Sequence, residues 1–149
     1  MKRFRFRLER LLELRVHRER EALNRLAEAT GHCVRLARGL RQAEESGREA
    51  LRAQRAGLGL VDMELLAYRE HYLAWLKERR RRLARELAER QKKRQEEQAR
   101  YLEASKERKV LDKLKERRAA EHHREARTEE FEVADDLSSS RFTGRPGEE

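Results

Sequence analysis

The chain has 149 residues, 45% of them charged and 37% hydrophobic, with 38 Lys and Arg against 29 Asp and Glu for a net charge of +9. An ordinary globular domain is about 45–50% apolar and about 25% charged, so a compact single-core fold is excluded. Disorder is disfavoured as well, because the excess lies in Arg, Leu, Glu and Ala, all helix formers, rather than in Pro, Gly and Ser.

From the N-terminus, MKRFRFRLERLLELR scatters charges through its apolar residues and offers no signal-peptide core. No uncharged run approaches the roughly 18 residues of a membrane span, so a cytoplasmic chain is expected. Helix 1 is expected over residues 4–55. Its stripe is carried by Leu8, Leu12, Leu26, Cys33 and Leu40, the last three recurring every seven residues. Cys33 has no second cysteine to pair with and is read as a small seam residue. The run Ala56-Gly57-Leu58-Gly59-Leu60 predicts a turn over 56–61, and Asp62 stands ready to cap a second helix.

Helix 2 is expected over 62–136, with Leu65, Tyr68, Tyr72, Leu76, Leu83, Leu87 and Leu111 along its stripe. A period near 3.5 with charges elsewhere is the signature of coiled-coil packing. A short connection makes the two helices antiparallel, so the fold class is an all-α coiled-coil hairpin with the second helix longer. Centring the turn on Gly59 pairs residue i with roughly 118 − i, which sets Val16 near Leu102 and Leu8 near Val110. Helix 2 then outruns helix 1, leaving residues from about Lys115 to Asp136 unpartnered. The segment ERQKKRQEEQ at 89–98 has no large apolar residue and predicts a thin seam. Residues 137–149, rich in Ser and Gly and holding Pro146, are expected to be a disordered tail.

Chemistry is nearly absent from this pattern. No phosphate loop, dinucleotide fingerprint, zinc-protease motif or nucleophile elbow is present, and a two-helix chain offers no concave, dry pocket. No enzyme activity, cofactor, metal or small-molecule substrate is therefore expected. His17 with Glu21 and His122 with Glu125 share helix faces, but a metal needs a third convergent ligand. Arg79-Arg80-Arg81-Arg82 could neutralise phosphates, yet acids are interleaved almost everywhere, as a solvated helix surface requires. Tyr68, Tyr72 and Trp75 fall within eight residues, and Trp75 and Leu76 cannot both point inward. The cluster has two readings: large side chains filling space beside Ala43, Gly47 and Ala50, or a partner-binding patch.

The run Phe4-Arg5-Phe6-Arg7-Leu8-Glu9-Arg10-Leu11-Leu12-Glu13-Leu14-Arg15 resembles the opening of the FliJ family of bacterial flagellar export proteins. Glu107-Arg108-Lys109-Val110-Leu111-Asp112-Lys113-Leu114-Lys115-Glu116-Arg117 and the acidic stretch Glu129–Asp136 are similar to that family's later segments. The resemblance implies a non-enzymatic stalk, similar to the central stalk of rotary ATPases, and a chaperone-like adaptor of type III protein export. Its paired-termini end would enter the flagellar export ATPase hexamer, implicating Phe4, Phe6, Lys109, Lys113, Leu114, Lys115, Arg117 and Arg118. Its tip, with Tyr68, Tyr72, Trp75 and Leu76, would meet the cytoplasmic domain of the membrane export gate. Export-substrate chaperones are further implied partners, and membrane association at the flagellar base would come only through partners. Two alternatives stand beside this reading: the equivalent stalk of a virulence-type injectisome, and a basic coiled coil that binds nucleic acid. Self-association into a four-helix bundle is compatible with the same stripes.

Overall fold

The computed structural model describes residues 3–56 and 62–143, with side-chain surroundings through residue 140. It holds two helices, α1 (Glu9–Ala56) and α2 (Met63–Thr143), and no strand among the described residues. The fold class is the expected all-α hairpin with a longer second helix. Residues 57–61, most of the expected turn, and residues 144–149 of the expected tail lie outside the described residues. By internal packing the chain divides into two compact units, Glu19–Glu103 and the pair of segments Met1–Arg18 and Ala104–Glu149.

The helix boundaries differ from the sequence reading at all four ends, by a single residue at the end of α1 and the start of α2. α1 begins at Glu9 rather than Phe4, because Phe4-Arg5-Phe6-Arg7 alternates with the period of an extended chain, not of a helix. The Glu9 amide donates to the Phe6 carbonyl at 3.2 Å, turning the chain into the first helical turn. α2 starts behind Asp62, whose Oδ1 accepts from the Glu64 amide at 3.0 Å. It then continues to Thr143, past the boundary expected at 136. Ser138, Ser139 and Ser140 do not break it, since their hydroxyls donate to carbonyls three and four residues back.

In the unit spanning Glu19–Glu103, the two helical segments run antiparallel with a two-per-heptad seam. On α1, Ala22, Leu26, Ala29, Cys33, Leu36, Leu40, Ala43, Gly47 and Ala50 turn inward at alternating steps of three and four. On α2 the inward set is Leu66, Arg69, Leu73, Leu76, Leu83, Leu87, Arg90 and Glu97. This corrects the stripe expected at the start of helix 2: Leu65, Tyr68 and Tyr72 are exposed. Counting back from Leu76 by fours drifts about 40° per step on a 3.6-residue helix, so Tyr68 leaves the seam, whereas alternating steps of three and four stay on it.

Pairing also differs from the expected register. Glu44 meets Arg80 at 3.6 Å, and a Cβ at Gly39 would stand 3.8 Å from Leu83 Cδ1. Paired residue numbers therefore sum to between 122 and 124 rather than roughly 118. The shift sets the large Leu83 against the small Gly39, while Leu76 and Gly47 line a common groove farther along. Large-on-small contact lets two backbones approach closely, and it replaces the apolar clusters that a sum of 118 would have required.

The other unit joins Met1–Arg18 to Ala104–Glu149. Leu12 is buried there and Leu111 half-buried, with Ser105 buried between the helices. Arg15 pairs with Glu107, and Lys115 Nζ donates to Glu9 Oε1 at 2.8 Å. Of the pairs expected across the seam, Val16 with Leu102 and Leu8 with Val110, every member is exposed. Residues 3–6, outside regular structure, lie as a strap along α2, with Phe4 and Phe6 half-buried and Arg3, Arg5 and Arg7 exposed. The unpartnered part of α2 consequently begins near residue 127, not at Lys115, because the strap covers α2 as far as Glu125.

Candidate interaction surfaces

α2 presents its exposed aromatics as a consequence of its seam. With Leu66, Leu73 and Leu76 facing α1, the residues Leu65, Tyr68, Tyr72, Trp75 and Arg79 fall on one flank at steps of three and four. Tyr68 is 70% exposed and Trp75 49%. The Tyr72 and Trp75 rings stack with centroids 6.1 Å apart and planes 18° from parallel. Above the Trp75 ring, 5.3 Å from its centroid, lies the Arg79 guanidinium, a cation–π contact that holds both groups in place. One helical turn on, Glu78 lies 3.8 Å from Arg82 and 3.6 Å from Arg85. Leu76, named with this patch from sequence, is instead 4% exposed and belongs to the seam. The structure thus brings three of the four tip residues together on the surface and assigns the fourth to packing.

The second surface is built by the strap. Phe4, Phe6 and Leu8 line a groove with Leu114, Arg118, His122 and Glu125 of α2. The Phe4 ring tilts against His122 at 5.6 Å and 60°. Among the basic residues predicted here, Lys115 is engaged by Glu9 and Arg118 pairs with Glu121 at 3.2 Å. Lys109, Lys113 and Arg117 are exposed, and Leu114 is half-buried in the groove wall. Beyond the strap, α2 continues its inward spacing from the half-buried Ala126 through Glu129, Val133 and Leu137, which are exposed. Sequence reasoning missed this continuation; Val133 and Leu137, four apart among acids, are the signal that could have found it.

A third feature explains the thin segment at 89–98. Glu97 is buried, its Oε1 taking a 2.9 Å bond from Arg100 while its Oε2 accepts none. It lines a polar gap with Arg25, Glu28, His32, Arg90 and Lys93 where apolar side chains would normally meet. Elsewhere along the seam, Leu12 and Cys33 are buried and Leu26, Leu40, Leu83 and Leu87 half-buried, while Leu8 is 39% exposed on the groove. Among the described residues no three His, Cys, Asp or Glu side chains converge as metal ligands, and no helix is long and apolar enough to cross a membrane. The chemistry these surfaces support is docking: stacked aromatics with flanking cations in one unit, and a half-filled apolar groove bordering acids in the other.

A family model described as Flagellar FliJ protein matches residues 4–147. No curated protein and no solved structure matches the chain.

Proposed function

From the premise that this chain belongs to the flagellar FliJ family, and so to the components of flagellar type III export, we propose that it is a non-enzymatic stalk that couples the export ATPase ring to the export gate. The carrying observation is that its regular helices leave two separate sets of apolar side chains exposed outside the seam. One is the Tyr68, Tyr72 and Trp75 flank; the other is the Val133 and Leu137 continuation of α2 beyond the strap.

An unpartnered, mostly polar helix is marginal in water. The α2 segment from residue 127 onward would gain its missing partner inside the ATPase ring, next to the groove of Phe4, Phe6 and Leu114. Lys109, Lys113 and Arg117, exposed and free to reach outward, would supply the charged contacts around it. The aromatic flank would dock on the cytoplasmic domain of the gate, where buried Trp and Tyr side chains dominate binding. Substrate chaperones would use the remaining helix surface, in the cytoplasm at the inner-membrane face of the flagellar base.

The test is stimulation of a purified flagellar export ATPase by this protein, paired with pull-downs of ring and gate domains. Removing residues after Ala126 is expected to weaken ring binding at least tenfold while gate binding stays intact. Tyr72→Ala with Trp75→Ala is expected to do the reverse. A stimulation that survives the truncation, or a gate interaction indifferent to the aromatic pair, overturns the two-surface reading.

A further inference from the structure

The aromatic flank carries a chemistry that a protein partner alone does not require. Leu65, Tyr68, Tyr72 and Trp75 are followed on the same flank by Arg79 and Arg82. Apart from Leu65, the apolar groups are rings with a polar edge, the type of side chain that settles at a membrane–water interface. Arg79 already lies over Trp75, so its aliphatic stem and the ring form one amphipathic unit with the charge at its rim. The stretch from 77 to 94 holds ten Lys and Arg against three Glu, the densest positive charge in the chain. Of those three acids, Glu78 stands as one carboxylate between two cations, 3.8 Å from Arg82 and 3.6 Å from Arg85. A dense run of cations beside interfacial aromatics is complementary to an anionic lipid surface.

We propose that this flank of α2 seats directly on an anionic bilayer, the Tyr68, Tyr72 and Trp75 rings at headgroup depth and Arg79, Arg82 and Arg85 against lipid phosphates. The contact is peripheral: no described helix is apolar enough to span. It goes beyond the gate contact and does not depend on it, because lipid alone suffices. Duplex or single-stranded nucleic acid is the competing polyanion, but the cations around Arg79–Arg82 are interrupted on this flank by Glu86 and Glu89 after two helical turns. That leaves a short patch suited to a surface of small headgroups rather than to a continuous backbone.

Trp75 is the sole tryptophan, so its emission reports the proposed contact without a label. The full chain is titrated with vesicles of pure phosphatidylcholine and with vesicles containing 30 mol% phosphatidylglycerol, at about 50 and 300 mM salt. The expected result is a blue shift of Trp75 emission with the anionic vesicles only, reduced at high salt and quenched by bromine placed near the lipid headgroups. Arg79→Glu with Arg82→Glu, a change of four charge units, is expected to lower the partition coefficient about a thousandfold with helicity by circular dichroism unchanged. The milder Arg79→Gln with Arg82→Gln pair, which removes two charges, should give a loss of about thirtyfold in the same direction. No shift, an equal shift with neutral vesicles, or a shift indifferent to both variants overturns the proposal. Tighter, salt-dependent quenching by a 20-nucleotide duplex or single strand than by vesicles overturns it too and assigns the patch to nucleic acid. Gate binding with no vesicle binding would leave the proposed stalk function standing and this inference refuted.

Discussion

Trp75 and Leu76 are neighbours in sequence with opposite surroundings, one half in solvent and the other 4% exposed. Removing the Leu76 side chain takes away one of the few buried large apolar groups of the seam. Leu76→Ala should therefore cost about 2–4 kcal/mol, the range for a buried Leu. Trp75→Ala should cost less than about 1 kcal/mol, since it removes a surface cation–π contact and little burial. Thermal or urea melts of the two variants check the difference, and equal losses would mean that the seam assignment is wrong. Gly47 itself has nothing within 4 Å of where a Cβ would stand and sits in regular helix. Gly47→Ala is expected to stabilise the fold by about 1 kcal/mol, the ordinary helix-interior gain. Destabilisation there would show that the helices approach more closely at this point than the distances indicate.

At the scale of elements, the strap and the end of α2 behave differently although they adjoin. Phe4 and Phe6 tie the strap to α2, whereas residues 127–140 are exposed along their whole length. Ending the chain after Ala126 should leave the melting temperature within about 2 °C of the parent, because the removed helix buries almost nothing. Ending it after Leu114 should lower it clearly, since Arg118, His122 and Glu125 of the groove go with it. Amide hydrogen exchange on the full chain supplies the second readout, with fast exchange expected beyond residue 127 and slow exchange around Leu12 and Ser105. The ion pair of Glu9 with Lys115, whose side chains are 44% and 39% exposed, is not what holds the strap. A double-mutant cycle across it should find less than about 1 kcal/mol. Much of this element structure is legible in the sequence. The α1 stripe of Leu26, Cys33 and Leu40 can be read because its heptads are unbroken and its flanks charged. The start of α2 cannot, because hydrophobicity alone favours Tyr68 and Tyr72, while geometry measured back from Leu76 favours Arg69 and Leu73. The strap is hidden for a related reason: Phe4 and Phe6 join a helical stripe by hydrophobicity although two-residue alternation marks extended chain. The register escapes a reading that matches apolar clusters to one another instead of large residues to small.

For the molecule as a whole, the net charge of +9 conceals a strong segregation. Ten cations face three carboxylates between residues 77 and 94, whereas seven carboxylates face two cations between 121 and 136. A chain arranged this way is drawn to an anionic surface through one segment and to a basic partner through another, and both attractions weaken with salt. The buried apolar set among the described residues is correspondingly small, Leu12, Ala29, Cys33, Ala43 and Leu76. Two packed helices with no further layer leave every seam residue a single side chain away from water. That arrangement turns Cys33 into a clock. It is the sole thiol of the chain and is buried at 5% exposure beside the polar stretch of α2. A thiol reagent can reach it only when the helices part locally, so the labelling rate counts those openings. Modification in native buffer should be slower than in denaturant by orders of magnitude, yet measurable within hours. Engagement of either surface that stiffens the neighbouring seam should slow it further, giving a readout of partner binding that requires no partner-specific probe.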